Sequence, residues 1–510
     1  MAKIPFMSKR AVSPTDTAVE QNERVSKLTE IEKNEDAQRR IDSIDTESGQ
    51  FADRAKIEKR LKLKLDLRFS VLIILYILNY IDRNNVSAAR TYGFERDLGL
   101  QGNQIDTILS ILYVSYMLMQ VPSNIIVQKT GKPSLYLPAC TMAWGAISIM
   151  MILAKDFTGA VLVRFFLGFV EAAFFPGALF LLSSWYTKTE LGVRNTFLYC
   201  GSLISNAFGP MMAAGILGNM DGKLGRPAWE WLFVIEGSLT CFFAIVAAFQ
   251  LPDLPHNTKR GFTVEERAVA ELRMLEDKGG KSVDDDESTT ASLMAVLKDT
   301  KAWVMTLSLI AMVVGLSFNQ FFPQITTTLG YSRTISLLLC APPFAFATIV
   351  AFIVSRHSDK TQERYWHIVG PLCFGIIGFI IAMTAKAFAA RYVAMFLMAS
   401  SYAAFTVFYA WISATFPRPA MRRAIAIALI NCLSQLGNIA GSYTYPKVWG
   451  PSYIKSFGIA LACFVACIIG ITYHRWTLAR DNKELDAQDG RGDANILRGV
   501  HYPKGFRYVL

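Results

Sequence analysis

Long apolar runs alternate with short polar turns along this chain. Runs of about 20 residues are long enough to cross a bilayer as helices. They fall near residues 67–88, 103–125, 134–154, 158–184, 195–218 and 229–250. A second set falls near 302–322, 334–355, 367–386, 391–413, 422–445 and 456–476. The pattern predicts an all-α integral membrane protein with twelve transmembrane helices. A polar segment, residues 251–301, separates the two sets. Its centre, Asp277-Lys-Gly-Gly-Lys-Ser-Val-Asp-Asp-Asp-Glu, reads as a flexible acidic linker. Equal sets around a charged linker suggest two parallel repeats with a cavity between them. The repeats would be six-helix bundles at 66–250 and 302–476.

The flanking segments are polar. Residues 1–65 read as a largely disordered cytoplasmic tail, with few large apolar residues over the first 50. Within it, Arg54–Arg68 alternates Lys/Arg with Leu/Ile. This stretch either lies on the inner membrane surface or extends the first span as a helix. Residues 477–510 form a second cytoplasmic tail. No cleavable leader is read in the polar start, so the first span serves as the targeting signal.

Composition supports this picture: the 510 residues are 52% hydrophobic and 18% charged. The net charge of +11 is not a nucleic-acid signal, because the basic residues cluster in alternate loops. They are Lys129 and Lys132; Lys188 and Arg194; Arg356, Lys360 and Arg364; Arg418, Arg422 and Arg423. Positive loops prefer the cytoplasm, which places both termini inside. Basic residues in the opposite loops, such as Arg96 and Lys155, are accompanied by acids such as Asp97 and Asp156. All eight cysteines lie in predicted spans with no metal-like spacing, so neither a disulfide framework nor a metal site is read.

Four charges sit where a bilayer should exclude them: Asp82 and Arg83 in span 1, and Arg164 and Glu171 in span 4. Such groups usually face a bundle interior or a water-filled route. One reading is a buried structural ion-pair network; the other is a cavity that handles protons and an anion. At 1.5 Å per residue, Asp82 lies ~22 Å above the inner edge, Arg164 ~9 Å below the outer edge and Glu171 ~20 Å below it. Asp82 and Arg164 are then level in a ~30 Å core, with Glu171 deeper. Neighbouring helical residues point about 100° apart, so Asp82 and Arg83 can serve different partners. An Arg favours the ionised form of a nearby carboxylate. If a substrate carboxylate captures that Arg, the freed acid binds a proton more readily. Arg suits the task because its planar fork grips a carboxylate with two hydrogen bonds.

The second half has no acid or base in the predicted core of any span. It offers Asn319, Gln320 and Gln324 near Pro323, and Asn431, Gln435 and Asn438 along one face of span 11. These amides either orient a substrate or bond neighbouring helices. Tyr402 and Tyr409 form an aromatic wall or a packing pair. Gly168 and Gly177 permit close helix packing; Pro176 predicts a kink in span 4. Glu236, beside Gly237, reads as structural. His357, His367 and His474 lie at membrane edges without metal spacing. No Walker, HExxH or G-x-S-x-G motif is present, so no enzyme and no cofactor is expected.

Internal symmetry is weak but present. Asn124-Ile-Ile-Val-Gln-Lys129-Thr-Gly131-Lys132 follows span 2, and Ser355-Arg-His-Ser-Asp359-Lys360-Thr-Gln-Glu-Arg364 follows span 8. The 6+6 layout and these loops resemble the major facilitator superfamily, whose loop runs roughly G-x-x-x-D-R-x-G-R-R. In the first copy Asn124, Gln128 and Lys129 replace the family's Gly, Asp and Arg. The second keeps Asp359, Lys360 and Arg364, to which the resemblance assigns gating. Asn79-Tyr-Ile-Asp82-Arg83-Asn-Asn and Arg164-xxx-Gly168-xx-Glu171-xxxx-Pro176-Gly177 resemble the anion:cation symporter family. Trp229-Glu-Trp231-Leu-Phe233, Leu251-Pro-Asp-x-Pro255 and Phe506-Arg-Tyr-Val-Leu510 resemble its fungal allantoate, nicotinate and pantothenate permeases.

The resemblance implies the major facilitator fold, with Asp82 and Glu171 as proton sites, Arg83 as anion ligand and Arg164 as coupling partner. The expected function is proton-coupled uptake of a small organic anion across the plasma membrane by a monomer. Its expected partners are that anion, protons and the bilayer. Export of an acidic metabolite and a non-transporting nutrient sensor are the alternatives.

Overall fold

The computed structural model describes residues 54–255, 257–258, 261–278, 289–417, 420–491, 495–497, 500–502 and 505–510. The tail at 1–50 and the acidic centre of the linker lie outside the described residues. Eleven helices in this set are long and apolar enough to cross a bilayer. A twelfth, Arg54–Arg90, precedes them; Asn79, Asp82, Arg83, Asn84 and Asn85 interrupt its apolar run. Its 37 residues reach about 55 Å at 1.5 Å each. The basic stretch Arg54–Arg68 is therefore a continuous extension of span 1.

The chain divides into two compact units. The described part of one joins the start of the first helix with residues 258–278. Within it Lys64 pairs with Glu266 at 2.7 Å and Arg273 with Glu58 at 3.1 Å. The polar segment 251–301 is thus less open than its composition predicts. Helices Val264–Lys278 and Thr289–Lys298 stand on either side of its acidic centre.

The membrane spans belong to the other unit. Proline breaks several of them, because it has no N–H to give the carbonyl four residues back. Span 4 divides into Phe157–Glu171 and Phe174–Trp185, where Pro176 has no N–H to give the Ala172 carbonyl. Span 7 passes from Thr300–Leu316 through a tight turn, Ser317–Phe321, into Phe322–Thr327. There Pro323 removes the bond to Asn319. Span 8 divides before Pro342 and Pro343, giving Arg333–Leu338 and Ala341–Thr361. Span 10 divides into Phe388–Ser400 and Tyr402–Thr415 without a proline. Here Ser400 and Ser401 bond back to the carbonyls of Phe396 and Met398, which weakens the ladder.

Each half packs in the same manner: span 2 on span 4 and 3 on 6, then 8 on 10 and 9 on 12. Between halves, span 5 meets span 8 and span 2 meets span 11. Gly168 makes the contact of spans 2 and 4 possible. A Cβ there would stand 2.2 Å from the Leu112 carbonyl oxygen and 2.4 Å from Ser115 Oγ.

Beyond the expected end of span 12 at residue 476, the helix continues as Ile454–Arg491. A two-stranded antiparallel hairpin, Asn495–Leu497 with Val500–Tyr502, follows it. Helical architecture thus holds for the membrane part, and the expected tail is folded. Residues 508–510 lie on the basic-loop face: Asn482 and Tyr508 exchange bonds, Trp411 Nε1 donates to Val509 O and Arg364 N donates to Leu510 O.

Candidate functional site

Span 1 directs two adjacent charges to opposite sides. Asp82 faces spans 3 and 6, where Ser148 Oγ donates to it at 3.2 Å and Thr240 Oγ1 at 2.8 Å. Arg83 faces spans 2 and 4. Its Nη2 and Nε donate to Glu171 Oε2 at 3.0 and 3.2 Å. The rings of Tyr116, Tyr80 and Tyr113 stand 4.9, 5.1 and 5.7 Å from its guanidinium carbon. Ring faces attract a cation, more strongly where water is excluded.

Arg164 takes a different place from the one its charge suggests. Its Nη1 donates to the carbonyl of Asp82 at 3.2 Å and its Nη2 to that of Arg83 at 2.7 Å. It grips the backbone of span 1 and does not line the central cavity. The resemblance makes it a coupling partner; in the structure its two bonds clamp the helix bearing Asp82 and Arg83. All four charged groups are buried, and their formal charges sum to zero.

A cavity of about 120 Å³ lies between the halves, well above the ~10–15 Å³ that one water needs. Arg83 supplies its charge. The opposite wall carries Asn319, Asn431, Gln435 and Asn438. Asn431 Oδ1 accepts from Tyr409 OH at 2.7 Å, and Asn438 Nδ2 donates to Gln435 Oε1 at 2.9 Å. Asn319 and Gln320 turn inward: Asn319 Nδ2 donates to Asn206 at 3.2 Å and Gln320 Nε2 to Tyr113 OH at 3.2 Å. Gln324 instead bonds Tyr453, outside the cavity. Both Tyr402 and Tyr409 line the wall.

Sequence reasoning missed the tyrosines around Arg83, and also Asn206. The spacing of Tyr76 and Tyr80, and of Tyr113 and Tyr116, puts each pair on one helical face, a signal that marked them only as apolar positions. Asn206 Oδ1 accepts from Asn84 at 3.1 Å as well as from Asn319.

Away from the basic loops, the halves are tied together. Lys447 pairs with Glu95 at 3.0 Å. Tyr443 OH lies 3.1 Å from Thr107 Oγ1 and 3.2 Å from Ser110 Oγ, and Tyr92 OH 2.9 Å from Thr334 Oγ1. In the loop after span 8, Arg364 bonds Asp359 at 2.6 Å and Ser358 Oγ at 2.9 Å. Lys360 makes no ion pair among the described residues.

Two bundles with broken helices around a buried polar cavity define a multi-pass membrane transporter. The sequence profile of the Major Facilitator Superfamily matches residues 72–442, and the chain belongs to that family. It is 33% identical over 450 residues to the MFS-type transporter cnsO of Penicillium expansum, covering 84% of this chain and 85% of that protein. A protein of Agrobacterium vitis whose name proposes tartrate transport is 29% identical over 396 residues, covering 76% of this chain and 84% of its own. Among solved structures, the fold resembles a bacterial homolog of the human lysosomal transporter Spinster, inward-facing and unoccupied. That match has a TM-score of 0.64 at 15% identity and covers 81% of this chain and 96% of that one.

Proposed function

We propose that this transporter carries a small organic anion inward together with protons, as a plasma-membrane member of the anion:cation symporters with both termini cytoplasmic. The observation that carries the reading is Arg83 at the cavity wall, paired with the buried Glu171 behind it. An incoming carboxylate competes with Glu171 for the same fork. The four buried charges are balanced, so an added anion leaves an excess negative charge in a poorly hydrated site. Protonating the displaced Glu171 restores the balance. A buried charge without a partner is costly, so anion and proton binding reinforce each other.

The opposite wall supplies neutral amides, suited to reading the rest of the substrate. A site built to bond a polar group rejects analogues that lack it. Nicotinate, allantoate, pantothenate and related carboxylates form the class, and tartrate, the acid in one relative's name, is another carboxylate. Asp82, bonded to two hydroxyls behind span 1, is the second proton site. Asp359 and Arg364 brace the gating loop.

Flux into vesicles reconstituted with the purified chain tests this. Acid outside should stimulate uptake. A monoanion entering with two protons also carries net positive charge, gaining about 2.3 kcal/mol per 100 mV of inside-negative potential. Substrate leaving as protons enter would make the chain an exporter, and binding without flux would make it a sensor.

A further inference from the structure

Span 6 carries a buried acid outside the Arg83 site. Glu236 lies in Ala228–Gln250, about 12 Å below its outer end at 1.5 Å per residue. Thr240, one turn further in on the same face, is the residue that bonds Asp82. Spans 1 and 6 run in opposite directions, so one turn outward from that bond Glu236 meets Asn85. The acid is 1% exposed, and it makes no ion pair among the described residues. The ionisable group facing it from span 1 is another acid, Asp82; Arg83 is turned away and committed to Glu171. Span 3 packs on span 6 and at this level presents Gly145 and Ile149.

Glu236 lines a small cavity of about 30 Å³, room for about two waters at ~10–15 Å³ each. The cavity lies outward of the central one. Its lining runs along span 1 to Ala88, along span 5 to Ala213 and past the break in span 7 to Pro323. Spans 5, 7 and 8 present no titratable group to it. Asn84, Asn206 and Asn319 line both cavities and are joined through Asn206. They form the partition between the two, and its Asn206–Asn319 bond crosses from one bundle to the other.

We propose that Glu236 is a further proton-binding site, one that exchanges with the outer solution when the bundles part at the outer face. Size selects the ion. Glu236 Oε2 and both amide atoms of Asn85 have no hydrogen-bond partner and are sealed from water. A sodium ion has no room against them, whereas a proton needs none. Once protonated, the carboxyl gains an O–H donor, which suits the unmet acceptor of Asn85. Charge agrees. The four groups around Arg83 already sum to zero, and an ionised Glu236 would add a buried negative charge without a partner, which is costly. Access follows from the partition. Parting the bundles breaks the Asn206–Asn319 bond and joins both cavities into one vestibule facing outward. Closing shuts the proton in again, one turn from the Thr240–Asp82 bond.

Infrared difference spectra of the full chain in an ester-free detergent test the site. A protonated carboxyl has a C=O stretch apart from those of carboxylates and amides. Wild type minus Glu236→Gln should leave one such band, and Asn85→Ala should shift it by removing the acceptor. In heavy water the band should move as the proton exchanges. Thr107→Cys with Tyr443→Cys, joined by a short cross-linker across the outer face, should hold that movement back. A difference spectrum without the band, or a band that Asn85→Ala leaves in place, would overturn the site. Loss of the wild-type band when sodium replaces potassium would make it a sodium site instead. Equally fast exchange in the cross-linked chain would overturn the outer access. These spectra need neither substrate nor flux, so they judge Glu236 even if proton-coupled uptake fails its own test.

Discussion

Glu171 Oε2 lies 3.0 Å from Arg83 Nη2, while Glu171 Oε1 is buried with no hydrogen-bond partner. One carboxylate thus holds the fork and also keeps an oxygen open to a proton. In the proposed mechanism the anion site and the proton site therefore share a single contact.

Arg83→Lys keeps the charge and loses the fork. We expect carboxylate binding to weaken about tenfold or more, from the loss of a charge-assisted bond, with the protein still folded. Calorimetric titration of the purified variant measures it. Near-normal affinity would remove Arg83 from the site.

Glu171→Gln removes the proton acceptor and retains much of the shape. It should abolish concentrative uptake on an imposed pH gradient yet allow exchange of labelled for unlabelled substrate. Asp82→Asn should behave alike. If both variants still accumulate substrate, the proton assignment is wrong.

Asn431→Ala and Gln435→Ala should reorder preference among carboxylates more than they alter proton dependence. Competition of each acid against one labelled substrate gives the ranking. An unchanged order would make these amides helix contacts only.

Gly168→Ala should destabilise the protein by about 1–3 kcal/mol, the usual cost of overpacking, since the new methyl meets the Leu112 carbonyl. Thermal unfolding in detergent reports this, and an unchanged Tm would mean that spans 2 and 4 part easily.

Thr107→Cys combined with Tyr443→Cys tests the contact that ties the halves together, where the two hydroxyls lie 3.1 Å apart. Joining the double variant with a short, reducible bifunctional thiol cross-linker, long enough to span the gap left by the phenol ring, should stop transport and reductant should restore it, with each single variant indifferent. Full flux after verified cross-linking would show that this contact need not open.

Spans and breaks were legible to different degrees. Apolar run length marks a membrane helix directly, and Pro176 announces the break in span 4. The break at Ser401 carries no such mark, because it arises from serine bonds that compete with the helix ladder. Within the site, the four charges stood out because a bilayer penalises them. Their partners did not, since pairing is set by helix rotation. Arg164 shows why: a cation among carboxylates reads as an ion-pair member, whereas here it holds two backbone carbonyls. The tyrosines around Arg83 were hidden because an aromatic ring in a membrane helix looks the same whether it faces lipid, core or cation.

Asn206 Oδ1 serves one amide from its own bundle, Asn84, and one from the other, Asn319. When the bundles separate at this level, Asn206 keeps the first and releases the second. The Asn319 amide then enters the cavity as a vacant donor. An outward-facing protein would present substrate with one more hydrogen-bond donor than the closed form does, and closing would withdraw it. Affinity on the two faces of the membrane would then differ without any charged residue moving.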